Sequence, residues 1–251
     1  MKKILLIIIS VFVSYCTFAL STNAALDSAT SSYKTGNFEK SVKIYETLLS
    51  EGLESATLYY NLGNSYFRLK NMPQAILNYE RAKLLAPEDE DINFNLALAS
   101  GFIVDKVNPI PDFFVYTWIK SIVNTFTVNQ WSIVSISLFI VSLLLIISFL
   151  FSGKVSMRKL FFWVGIIFFL LSIVSTIFAV KSRSEIVNNN TAIVMEAVST
   201  AKSSPNENST DLFIIHEGTK VTISEELDDW TEIKLADGSI GWIKSKDLEK
   251  I

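Results

Sequence analysis

Cysteine and histidine are almost missing from this chain, which holds one Cys, Cys16, and one His, His216, in 251 residues. A lone Cys cannot close an intramolecular disulfide, and one His without a second His or Cys to share an ion does not make a zinc site. The same scarcity removes most nucleophile–base pairs, because a Ser or Cys nucleophile needs a base to activate it. No catalytic residue, no metal site and no cofactor are therefore expected, and the chain reads as something other than an enzyme. Excess positive charge is lacking too: the net charge of -3 offers no broad field for phosphates, so nucleic acid is not an expected partner. The acid pairs Glu225-Glu226 and Asp228-Asp229 sit beside Trp230 on an expected turn. Paired acids need a cleft to shift their pKa, so these read as solvated loop charges.

Apolar residues are abundant, at half of the chain, and they are unevenly spread. Met1-Lys2-Lys3 before the apolar run from Ile4 to Leu20, then Thr22-Asn23-Ala24, have the order of a secretory signal over residues 1–24 with its cleavage site. An uncleaved anchor, or a lipid attached at Cys16, are the alternatives, and the bulky Tyr15 opposes the second. Charge is absent from residues 131–151 and 160–180, each near the roughly 20 residues that a helix needs to cross a membrane. The loop 152–159 between them carries Lys154, Arg158 and Lys159 without an acid. Short basic loops stay in the cytoplasm, so both flanking segments are expected outside, in the periplasm of an inner-membrane protein. Lys181 and Arg183, partly offset by Glu185, narrow that margin. The spans hold no charge, which disfavours transport. Within residues 106–130, the stretch after Pro109 and Pro111 is apolar along Val115, Trp118, Ile119, Ile122 and Phe126 and polar along Thr117, Lys120, Ser121 and Asn124. That division at helical period predicts an amphipathic helix lying in the outer interface, with Trp118 and Trp131 at headgroup level.

Residues 25–105 contain an internal repeat: Ser41, Tyr45 and Leu48 recur as Ala75, Tyr79 and Ala82, and 79 - 45 gives a period of 34. The second copy reads Tyr59-x2-Leu62-Gly63-x2-Tyr66, Ala75-x3-Tyr79-x2-Ala82 and Pro87. It resembles the tetratricopeptide repeat almost position by position. Gly63 and Ala75 are small where two helices must cross closely; Tyr66 and Tyr79 fill wider points. In the first copy Gly36-Asn37-Phe38 matches Lys70-Asn71-Met72, and residues 91–100, with Asn95-Leu96-Ala97, resemble the opening helix of a third that would cap the stack. The resemblance implies a concave peptide groove, whose inward positions map to Lys34, Tyr60, Asn64, Phe67 and Arg68. Lys34, Asn64 and Arg68 would suit a carboxylate; solvated polar residues on a short stack are the other reading of the same positions.

After the polar linker 181–190, residues 191–251 form short β-type segments: 192–198, 211–216, 220–224, 230–235 and 239–243, with Ala236-Asp237-Gly238 as a hairpin turn. Glu217-Gly218-Thr219-Lys220-Val221, then Asp229-Trp230-Thr231-Glu232-Ile233, then Gly238-Ser239-Ile240-Gly241-Trp242-Ile243 resembles the bacterial SH3-like barrel. Lys202-Ser203-Ser204-Pro205 stands where that family has Arg-Ser-Gly-Pro. Trp230 and Trp242 either line a groove or complete the core of a barrel this small.

The expected fold is thus a multidomain membrane protein with an all-α repeat domain, a two-helix transmembrane hairpin and an all-β SH3-like barrel. This order of modules resembles the BatE family of the Bacteroides aerotolerance operon. The resemblance implies a membrane scaffold working beside von Willebrand factor A domain proteins, another tetratricopeptide protein and a MoxR-type ATPase in oxidative or envelope stress. A cell-wall sensor or anchor that holds peptidoglycan is the alternative.

Overall fold

The computed structural model describes residues 23–107, 110 and 113–251. The expected signal core, Cys16, Pro109 and Pro111 lie outside these residues. The chain divides into two compact units, one holding the repeat helices, residues 89–109 and the C-terminal sheet, the other residues 84–88 and 110–189.

The helices of the first unit are α1 (23–34), α2 (Phe38–Ser50), α3 (Ala56–Arg68), α4 (Met72–Leu85) and α5 (Glu90–Ser100). Their starts follow capping chemistry, in which a side-chain oxygen accepts an otherwise orphaned backbone N–H. Asn37 caps α2 through Lys40 N, Ser55 caps α3 through Leu58 N, and Asp89 caps α5 through Asp91 N and Ile92 N. The turns before α2 and α4 are repeats of one another. Gly36 has φ +82° and Lys70, 70 - 36 = 34 residues later, has φ +62°; Asn71 Oδ1 then accepts from Gln74 N as Asn37 does from Lys40 N. The tightness at Gly63 is steric: a Cβ there would lie 2.8 Å from two ring carbons of Tyr79 and 3.2 Å from the Ala75 carbonyl. In the first copy Ala29, Ser41, Tyr45 and Leu48 are buried at the equivalent points, and Ser41 donates to the Ala29 carbonyl at 3.0 Å.

The sheet has seven antiparallel strands, β1 (Thr191–Val194), β2 (Val198–Lys202), β3 (Asp211–His216), β4 (Lys220–Leu227), β5 (Trp230–Lys234), β6 (Ile240–Lys244) and β7 (Leu248–Lys250), in the order β3-β2-β6-β5-β4-β1-β7. Its core is Ala192, Val194, Ala201, Ile215, Val221, Ile233 and Ile243. The single strand expected over 192–198 is two, β1 and the start of β2, because Met195 leaves the ladder and donates its N–H to the Asp247 carbonyl at 2.8 Å. Sequence reading missed β2 and β7: Val-Ser-Thr-Ala-Lys has no apolar alternation, and β7 is three residues long.

Sheet and repeat share one core. Ile193 is fully buried in a cluster with Ala75, Ile76, Leu77, Tyr79, Leu96 and Ala99, and Met195 and Ile251 pack against the same cluster. Gly218, at φ +83°, lies where a Cβ would meet Ile103 at 3.2 Å and Ile76 at 3.3 Å. Polar contacts ring this seam. Gln74 Nε2 donates to Glu249 at 2.9 Å, Arg81 donates to the Lys250 carbonyl at 2.6 Å, and Lys220 pairs with Glu80 at 2.7 Å. Asp105 accepts three bonds from one turn of the sheet: the His216 N–H at 2.7 Å and the Thr219 hydroxyl at 2.9 Å on Oδ2, with His216 Nδ1 2.8 Å from Oδ1. Burial alone would raise the Asp105 pKa, but these hydrogen bonds from His216 and Thr219 outweigh it and hold the carboxyl below its usual value.

The second unit contains α6 (Phe114–Asn124), α7 (Val128–Phe151) and α8 (Val155–Val187). The last two are long and apolar enough to cross a membrane. Helix α7 begins at Val128 rather than at 131, because Thr127 and Gln130 form a reciprocal capping box. Helix α8 starts within the expected basic loop and runs through most of the expected linker to Val187, since neither Gly nor Pro interrupts residues 181–187. Small residues line the α7–α8 seam, as expected where packing must replace the hydrophobic effect. Ser142 donates to the Gly165 carbonyl at 3.0 Å, Ser172 to the Ser135 carbonyl at 3.0 Å, and Ser135 lies 2.7 Å from the Thr176 hydroxyl. Trp118 is 66% exposed, but Trp131 is buried at 8%, its Nε1 donating to the Val123 carbonyl and its ring meeting Phe126 and Phe178 edge to face. The free carbonyl left where α6 ends recruits that indole, so Trp131 is a packing residue.

Candidate peptide groove

Four helices of the repeat surround a hollow of about 200 Å³ lined by Tyr33, Asn64, Phe67, Arg68, Tyr79, Asn95 and Leu98. The helical period explains the set: Asn64, Phe67 and Arg68 occupy one face of α3 at i, i+3 and i+4, and Asn95 and Leu98 occupy one face of α5. Three of the positions mapped from the sequence, Asn64, Phe67 and Arg68, come together here. Tyr60 lies beneath them, its hydroxyl accepting from Asn95 Nδ2 at 2.9 Å. Lys34 is exposed and is not part of the lining.

The floor is a chain of hydrogen bonds. Tyr79 Oη donates to Asn64 Oδ1 at 2.7 Å, and Asn95 Nδ2 donates to the same oxygen at 2.9 Å. Burial, with the neighbouring Tyr60 and Tyr33 phenols, pushes the Tyr79 pKa well up, so its hydroxyl stays a donor. One rim is cationic and aromatic: the Arg68 guanidinium stacks on Phe38, 4.8 Å from the ring centre, and Tyr33 meets Phe38 edge to face. The other is apolar, with Leu98 45% exposed and Phe67 meeting Phe102, itself 62% exposed, edge to face.

Tyr33, Tyr79, Asn95 and Leu98 are groove residues that sequence reasoning did not single out. Tyr33 had a signal, since it stands one repeat before Phe67 as Lys34 does before Arg68. Leu98 had the same signal, one repeat after Asn64; Asn95 had none, because its counterpart one repeat earlier, Asn61, is not among the mapped inward positions.

Trp230 and Trp242 lie on the sheet face opposite the core. Register places Trp230 opposite Lys244 and Trp242 opposite Glu232, while the intervening Ile233 and Ile243 point into the core. Both indoles are nonetheless buried, at 8% and 9% exposed, with the Lys244 ammonium 4.2 Å from the Trp230 ring centre and paired to Glu207 at 2.6 Å. Their faces are covered in this structure. His216 is engaged with Asp105, and the described residues contain no group of three or more His, Cys, Asp and Glu placed to hold a metal ion.

A comparison with curated proteins finds no match to the chain. Residues 56–89, from the start of α3 to the cap of α5, match the model of the tetratricopeptide repeat, and residues 201–249 match that of the bacterial SH3 domain. The chain therefore joins a helical repeat of the protein-binding kind and a bacterial SH3-type sheet across two apolar helices.

Proposed function

We propose that this chain is a membrane-anchored scaffold, without catalytic activity of its own, that binds protein partners through the repeat groove and the SH3-like sheet. One observation carries the reading: the repeat and the sheet, which α7 and α8 separate in sequence, share a core through Ile193. Segments that pack together lie in one compartment, which requires an even number of crossings between them, and two apolar helices supply two. The basic turn, with exposed Lys154, Arg158 and Lys159, supports the cytoplasm for the hairpin tip and the periplasm for both domains. The resemblance to the BatE family supports von Willebrand factor A domain membrane proteins as partners, and through them a MoxR-type ATPase, in aerotolerance or envelope stress. Affinity capture of the full chain from cross-linked membranes is expected to recover a von Willebrand factor A protein; a capture containing none counts against the assignment.

Peptidoglycan is the second reading, favoured by the match of residues 201–249 to the bacterial SH3 domain. Co-sedimentation of the full chain in detergent with purified sacculi separates the two, since a pure protein scaffold stays in the supernatant.

A further inference from the structure

The two ends of the sheet are finished differently. At one end β7 is three residues long and is covered by α4, with Arg81 donating to the Lys250 carbonyl and both Gln74 and Arg81 meeting Glu249. At the other end β3, six residues reading Asp-Leu-Phe-Ile-Ile-His, carries no Lys or Pro to blunt its edge. Glu217 sends its N–H to the Ala197 carbonyl on the β2 side, whereas the His216 N–H turns away from β2 to Asp105. Backbone groups two residues apart along a strand point the same way, so the N–H and C=O of Ile214 also turn away from β2, on the side where the sheet has no further strand. The Leu212 and Ile214 side chains are exposed, while Phe213 and Ile215 belong to the core. A hollow of about 410 Å³ adjoins this edge, with Val107, Phe213, Ile214 and Leu235 as its apolar lining. Of the charged groups at the hollow, Asp105 is engaged by His216 and Thr219, and Lys106 turns its ammonium to the Ser100 and Gly101 carbonyls. Asp237, exposed on the hairpin turn, accepts the Ser239 N–H at 2.9 Å and pairs with no cation among the described residues.

An edge that offers backbone donors and acceptors between apolar side chains is the complement of another strand. A second copy of this chain fits it poorly: two-fold pairing about Ile214 would set Asp211 against Glu217 at both ends, and like charges directly opposite repel. Resting on the reading of the SH3-like sheet as a protein-binding surface, we propose that the β3 edge takes up an extended segment of a partner protein as a further strand, its backbone bonded to the Ile214 N–H and C=O, aliphatic side chains beside Leu212 and Ile214, and a Lys or Arg at the hollow against Asp237. The hollow falls within the roughly 300–1,000 Å³ of ligand sites. Asp105 ends the site, since the next outward N–H, that of His216, is already taken. The acids at either end of the strand, Asp211 and Glu217, favour the same basic partner.

The test uses the full chain in detergent micelles and reads hydrogen exchange at the Ile214 amide. The probes are two pools of acetylated, amidated heptapeptides in which Val, Ile or Leu alternates with Thr, both ends being Lys in one pool and Glu in the other. At saturation the Lys pool is expected to slow exchange at Ile214 by about tenfold or more, and the Glu pool by less than about threefold. Asp237→Asn, which keeps an acceptor for the Ser239 N–H, is expected to bring the two pools within about threefold of one another. No slowing at Ile214 with either pool overturns strand addition, even where peptide binds elsewhere on the chain. Equal slowing by both pools on the unmodified chain overturns the basic partner, and a Lys preference that survives in the folded Asp237→Asn chain overturns the part given to Asp237. Capture from cross-linked membranes tests the scaffold reading without these peptides, so its failure and the failure of strand addition are distinguishable.

Discussion

Gly63 is held to hydrogen by the Tyr79 ring 2.8 Å from where a Cβ would stand. Alanine ordinarily favours a helix over glycine by about 1 kcal/mol, yet the overlap with a buried ring should win, and Gly63→Ala is expected to destabilise the unit by about 1–3 kcal/mol in thermal melts. Lys70 is the opposite case: its φ of +62° is one that a side chain resists, so Lys70→Gly should be neutral or stabilising by up to about 1 kcal/mol, measured by the same melts. Three phenols titrate late. Burial and the Glu54 carboxylate push Tyr59 up to about 12, and burial with Glu46 pushes Tyr66 up, as burial does Tyr79. A raised folded pKa means that the unfolded chain loses its proton first. The contribution of Tyr59 is therefore complete below about pH 10 and lost as pH rises toward 12, and stability measured by denaturant titration should fall through that window.

At the scale of elements, α4 shows how one helix serves two neighbours. Pro73, Ala75, Ile76, Leu77, Asn78, Tyr79 and Ala82 are all buried, because the repeat takes one side and the SH3-like sheet the other. The Asp105 clasp closes that second side. Its carboxyl is held below the usual aspartate value, so the stabilisation it provides is present above about pH 4 and is lost as pH falls through the lower folded pKa. Hydrogen exchange of the His216 amide, relative to its intrinsic rate at each pH, is expected to quicken in acid. Asp105→Asn should quicken it at neutral pH and cost about 1–3 kcal/mol, since an amide cannot accept all three bonds. In the hairpin, Gly165 brings α8 against Ser142 and Leu145, and a large residue there would separate the helices along the whole seam.

For the whole molecule the central expectation is topological. With Cys16 removed, cysteines placed by Ser50→Cys, Ser156→Cys and Asn208→Cys, all at exposed positions, report on the repeat, the hairpin tip and the sheet. A membrane-impermeant thiol reagent should label the first and third alike and spare the second. Labelling that divides Ser50→Cys from Asn208→Cys would be incompatible with the shared core.

Much of this architecture was legible in the chain itself. Charge-free runs mark the spans because a bilayer leaves no other solvent for a charge. The 34-residue period marks the repeat because Gly63 and Tyr79 answer one contact, and the Gly238 turn and paired tryptophans mark the sheet. Tertiary structure decided what those local signals could not carry. Ile193 and Ile76, more than a hundred residues apart, become one core only when the sheet meets α4. Trp131 packs against a carbonyl at the end of α6, and Lys34 drops out of a groove that Asn95 and Leu98 enter. Periodicity reports which face of an element is apolar; which neighbour covers that face is settled by contacts distant in sequence, and those contacts decide which polar groups remain free for a ligand.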